Sequence, residues 1–211
     1  SLLFLGVFFD FYIFSASKYA IDQQMSDTDS GFFNILFMPT SFIYLIANFL
    51  IRPMLTRLAD QYARKDRQGF RASVRLMVGA VTSLSLVLML ATLVLGRWGL
   101  RVFEWLLGAS ASGRLVSAFP SFVLIILGGA LYAMANVMYY ILVTVRQQRR
   151  IFCCYLLTTV LALLSANRMV VACGMLGGAL NYVLLMGVPL ALFTAAVFVA
   201  LRKMKNEASE S

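Results

Sequence analysis

Runs of about 20 apolar residues, separated by short charged connections, recur along the whole chain and predict six membrane-spanning helices. The first run covers 2–21 and leads into an acidic connection, Asp22 to Ser30, that also holds Asp27 and Asp29. The second covers 31–52. A basic segment from Arg57 to Arg75 separates it from the third, at 76–95. The fourth covers 120–145, the fifth 151–166 and the sixth 175–201. Pro39, Pro120 and Pro189 fall in or at the start of spans, where a proline kinks the helix and neighbours or water satisfy the freed carbonyl. The expected fold is therefore all-α: a six-helix membrane lobe over 1–205, with a polar cytoplasmic tail at 206–211.

Composition agrees with the pattern. The chain has 211 residues, 61% hydrophobic and 13% charged, against about 45–50% and about 25% in soluble domains. Mean hydropathy is +0.85, which would leave a water-soluble monomer with far more exposed apolar surface than monomers carry. An ordinary soluble domain and a disordered chain are excluded.

Charge gives the spans a direction. Thirteen Lys and Arg fall on one side (Arg52 to Arg75, Arg146 to Arg150, and Arg202 to Lys205), against five on the other: Lys18, Arg97, Arg101, Arg114 and Arg168. The positive-inside bias then places both ends of the segment in the cytoplasm and the 22–30 connection outside. The formal net charge of +9 reads as topology plus attraction to the anionic headgroups of the bilayer, and nucleic acid is not an expected partner. The 97–118 connection mixes Trp98 and Trp105, the two Trp residues, with Arg97, Arg101 and Glu104. It reads as a helix lying in the outer interface. The chain opens Ser-Leu-Leu-Phe, without Met or a charged leader, and reads as a cut in a longer protein.

The chemistry available is narrow. There is no His, the commonest proton shuttle and metal ligand. Cys153, Cys154 and Cys173 have neither zinc nor disulfide spacing and read as small apolar fillers. No metal, cofactor or catalytic residue is expected. An integral membrane enzyme acting on lipid-linked glycans would need acid–base groups that the spans do not offer in pairs.

Function in such a chain should show as polar groups that hydrocarbon would reject. In the second span Asn34, Ser41, Asn48 and Arg52 are spaced by 7, 7 and 4 residues. They fall within about 40° of one another, over about 27 Å of helix. This stripe suits the lining of a water-filled cavity; it also suits hydrogen bonding between helices, with Arg52 snorkelling to the inner surface. Asp10 in the first span is a candidate ion-coupling site or a structural partner of Arg52. Lys18, near the outer end, either snorkels or faces the cavity. The fourth span sets Gly128, Tyr132, Asn136 and Tyr139 on one face, suited to sugar or headgroup contact and equally to packing. Gly174 and Gly178 form a small-xxx-small pair suited to close helix approach.

These landmarks together resemble the C-terminal half of polysaccharide and lipid-linked oligosaccharide flippases, in the superfamily shared with multidrug and toxin extrusion transporters. The likeness is carried by Lys18-Tyr-Ala-Ile-Asp22 with Gly31-Phe-Phe-Asn34, by Met38-Pro39 and Arg52-Pro-Met-Leu-Thr-Arg57, and by the basic connection from Leu58 to Phe70. Asn136-Val-Met-Tyr-Tyr140, Arg146-Gln-Gln-Arg-Arg150 and Gly174-Met-Leu-Gly-Gly-Ala-Leu180 extend it over nearly the whole chain. The resemblance implies a bacterial cytoplasmic-membrane transporter of two six-helix lobes, this chain being the second and the N-terminal lobe its partner. It implies a polyprenyl-pyrophosphate-linked oligosaccharide as substrate and alternating access by rocking of the lobes. Lys18 and Arg52 would hold the pyrophosphate, which needs charge-assisted donors. The same superfamily offers a cation-coupled drug exporter as the alternative, with Asp10 as its coupling carboxylate.

Overall fold

A computed structural model of the chain describes residues 2–106 and 113–206. The described residues are helical throughout, apart from short turns, and form six elements: α1 (Leu2–Gln24), α2 (Asp27–Ala63), α3 (Arg67–Leu106), α4 (Arg114–Ser117), α5 (Phe119–Thr144) and α6 (Gln148–Asn206). All but the short α4 are long and apolar enough to cross a membrane. Nearly all of the expected tail at 206–211 lies outside the described residues.

α6 is not one rod. Gly174 adopts φ 57°, ψ −135° inside it, a region closed to residues with a Cβ. The chain folds back there. Ser165 donates to Asn181 Oδ1 at 2.7 Å, and the rings of Tyr155 and Phe193 meet at 5.1 Å. Two arms, 148–173 and 175–206, thus run antiparallel against each other. The first arm extends past the expected end at 166, because nothing between Asn167 and Cys173 breaks a helix.

Two other boundaries differ from expectation. α2 continues beyond Arg52 through Pro53 to Ala63, and α3 begins at Arg67. The basic connection is therefore mostly a helical hairpin, closed by Lys65 at φ 55°, by Asp66 accepting from the Gly69 N–H at 3.0 Å and by Ser73 donating to Gln61 Oε1 at 2.7 Å. At the opposite end, no separate interfacial helix starts at Arg97. α3 runs unbroken to Leu106, since Arg97–Leu106 contains no proline and only one glycine. Glu104 reaches back to accept from the N–H groups of Leu115 and Val116 at 2.7 and 3.1 Å.

α5 forms the centre of the bundle, packed by α2, α3 and both arms of α6, while α1 lies chiefly on α6. Lipid is as apolar as leucine, so these helices gain from close fit rather than from leaving water. Gly128 shows how close. A Cβ there would stand 2.4 Å from the Tyr182 ring, so the bare backbone is what admits that fully buried tyrosine. The periphery is the converse: Leu86, Val87, Leu90, Leu93 and Val94 of α3 are all more than half exposed. Such a surface is unsupportable in water and ordinary in a bilayer.

Candidate functional site: a polar ladder between the first two helices

α1 and α2 are joined by a tight turn, where Ser26 caps α2 by accepting from the Asp29 N–H and the Ser30 hydroxyl donates to Asp22. They touch near that turn and then diverge, each leaning on a different neighbour, α1 on α6 and α2 on α5. The result is a cleft between them, with α5 as its floor. Polar and aromatic groups follow one another down this cleft.

At the top, the Lys18 ammonium lies 4.6 Å from the centre of the Phe37 ring and 5.5 Å from that of Phe14. This cation–π seating joins α1 to α2 and leaves the lysine half-buried. Two turns below, Tyr132 of α5 donates to Asp10 Oδ2 at 2.8 Å. Tyr44 of α2 stacks on the Tyr132 ring, with centroids 5.2 Å apart. Behind Asp10 is a crevice with room for about one water molecule, lined by Tyr132, Asn136, Tyr155 and Pro189.

One turn lower, Asn48 is a node. Its Oδ1 accepts from Asn136 Nδ2 at 3.1 Å and from the Tyr140 hydroxyl at 3.3 Å, while its Nδ2 donates to the Tyr44 carbonyl at 3.1 Å. At the bottom, the exposed Arg52 lies close enough to Tyr140 to act on its hydroxyl electrostatically. From the level of Phe37 to Arg52 is 15 residues of α2, about 22 Å at 1.5 Å per residue. The ladder thus covers most of a bilayer core of about 30 Å.

The expected residues divide accordingly. Asp10, Asn48 and Asn136 meet in the cleft, with Lys18 above and Arg52 below. Asn34 and Ser41 are exposed, and no described side chain or backbone group bonds to them. Asn48 takes the interhelical hydrogen-bonding role, which the spacing alone left open. Asp10 does not pair with Arg52: the only ion pairs among the described residues are Arg64–Asp60 and Arg114–Asp29. On the fourth-span face, Gly128 and Tyr139 pack against rings, while Tyr132 and Asn136 bond into the ladder.

The ladder also recruits residues that spacing did not single out. Tyr44 sits four before Asn48, and Tyr140 four after Asn136. Both lie one helical turn from a named polar residue, and that was the available signal. Tyr155, on the first arm of α6, carried none.

Energetics identify the demanding group. A carboxylate at mid-membrane costs about 2.5–3.5 kcal/mol, and one hydrogen bond to a charged group returns about 1.5–3 kcal/mol. The Tyr132 bond therefore leaves Asp10 at best barely compensated, with a water-sized crevice beside it. No group of three His, Cys, Asp or Glu side chains that would hold a metal occurs among the described residues. No family model, curated protein or solved structure matches this chain.

Proposed function

We propose that the chain is one lobe of an alternating-access transporter that moves polyprenyl-pyrophosphate-linked oligosaccharide across the bacterial cytoplasmic membrane for surface polysaccharide synthesis. In this reading the two arms of α6 cross separately. The lobe then has six crossings with both ends in the cytoplasm, and the cleft between α1 and α2 faces a second lobe. The observation that carries the reading is the ladder itself. A row of hydrogen-bonding groups about 22 Å long, with a cation at each end, is superfluous for packing in lipid, where measured interhelical hydrogen bonds average only about 0.6 kcal/mol. It suits a solute with an anionic head and a hydroxyl-rich body.

Within it, Lys18 and Arg52 are the pyrophosphate contacts at the outer and inner ends. Asn34, Ser41, Asn48 and Asn136 are sugar or water contacts. The test is Arg52→Ala in the full-length protein in cells. Surface polysaccharide should disappear while the variant inserts at the normal level; undiminished polysaccharide at that level would remove Arg52 from the mechanism.

Asp10 favours a second reading, a cation-coupled exporter of amphiphilic drugs. Its carboxylate has one bonded donor and a crevice the size of a water molecule. Asp10→Asn separates the two. Loss of proton- or sodium-driven drug efflux from vesicles supports the exporter. Loss of polysaccharide with no drug efflux in the parent protein supports the flippase.

A further inference from the structure

The turn between α5 and α6 carries charge in an unfavourable place. α5 ends at Thr144, Arg146 takes a left-handed φ of 58°, and α6 starts at Gln148. Arg149 and Arg150 therefore occupy the first turn of a helix, where the macrodipole repels cations and orphan N–H groups await an acceptor. No acidic residue stands in that turn to offset them. Nor does an acidic side chain reach them from elsewhere, since the ion pairs of the described residues involve only Arg64 and Arg114. One atom makes the imbalance specific: Nη1 of Arg150 is buried and has no hydrogen-bond partner. A charged donor sealed from solvent without an acceptor is costly. Two exposed guanidinium groups, Arg146 and Arg149, flank it.

We infer that this turn binds the phosphate of an anionic phospholipid headgroup, with Arg150 as the inner donor and Arg146 and Arg149 closing over it. Position supports a lipid source. The turn lies between the apolar ends of α5 and α6, at Val145 and Ile151, which is where the phosphate plane of a leaflet meets a spanning helix. A phosphodiester supplies the acceptor that Nη1 lacks, offsets the dipole and matches the planar guanidinium fork. The site is separate from the ladder and does not depend on the transport reading.

The full-length protein, reconstituted into nanodiscs of phosphatidylcholine and phosphatidylglycerol in equal parts, provides the test by native mass spectrometry of retained lipid. Arg150→Gln and Arg149→Gln should each lower retained phosphatidylglycerol about fivefold, as about 1 kcal/mol per surface cation implies. Arg71→Gln, an exposed cation on the same side, should leave retention unchanged. If Arg150→Gln fails to fold, Arg149→Gln and the charge-keeping Arg150→Lys carry the comparison, with Arg150→Lys expected between parent and Arg149→Gln. Equal losses for Arg71→Gln, or no loss for the turn variants, would overturn the site. Inorganic phosphate stabilising lipid-free protein as strongly as phosphatidylglycerol does would overturn the lipid assignment.

Discussion

The Tyr132 hydroxyl donates to Asp10 Oδ2 at 2.8 Å across a sequence separation of 122 residues. This is the bond that ties the only carboxylate within the apolar runs to the floor of the cleft. Tyr132→Phe removes the donor and keeps the ring that stacks on Tyr44. It should lower stability by about 1.5–3 kcal/mol, read as unfolding of the detergent-solubilised protein. Asp10→Asn in the same background should cost little more, and a double-mutant cycle should return a coupling of at least about 0.5 kcal/mol. Additive losses would mean that the bond is not made.

Asn48→Ala leaves Asn136 and Tyr140 without their shared acceptor. The expected cost is about 0.6–1.7 kcal/mol, the range of interhelical hydrogen bonds measured in a membrane protein. Asn34→Ala and Ser41→Ala, at exposed positions with no bonded partner, should stay within about 0.5 kcal/mol of the parent while lowering transport. That split between stability and transport tells a bonded rung from a cavity-facing one.

Gly128→Ala sets a methyl group 2.4 Å from the Tyr182 ring. Overpacking of this kind costs about 1–3 kcal/mol. Tyr182→Leu should recover part of it, because a smaller side chain frees the space, whereas Tyr182→Phe should not. A thermal-unfolding series over the four variants reads this out.

The fold-back of α6 is open to direct chemistry. With Cys153, Cys154 and Cys173 replaced by alanine, Ser165→Cys and Asn181→Cys should form a disulfide under mild oxidant. In a straight helix 16 residues span about 24 Å, far beyond the Cα separation of about 7 Å that a disulfide bridges. Failure to cross-link in well-folded protein would contradict the antiparallel arms.

Much of this was legible in the chain because the hydrophobic period and the glycines are local signals. Apolar runs placed every long helix, and Gly174 stood in the gap between the fifth and sixth runs, where the backbone does reverse. Helix ends were less legible, since charged helix formers such as Arg57, Asp60 and Arg67 continue a helix into water as readily as they stop it. The stripe on α2 illustrates a further limit. Periodicity put Asn34, Ser41, Asn48 and Arg52 on one face, but which of them meets a neighbour depends on where α5 lies. Only Asn48 meets Asn136. Partners separated by 88, 122 and 164 residues leave no trace in a local pattern. Tyr155 of the crevice shows this most plainly: in sequence it is one more aromatic in an apolar run.

The buried chain of bonds from Ser165 through Asn181 to Ser17 bears on how the molecule is made. Ser17 is synthesised 164 residues before the asparagine that donates to it, and Asp10 is synthesised 122 residues before Tyr132. At about 5–20 residues per second, a ribosome needs about 6–24 s to supply Tyr132 and about 8–33 s to supply Asn181. Throughout that interval α1 holds a carboxylate and a serine with no intramolecular partner. Its first resting place is therefore set by the insertion machinery and not by the finished bundle. The helix that borders the cleft is the first to be made and among the last to be seated.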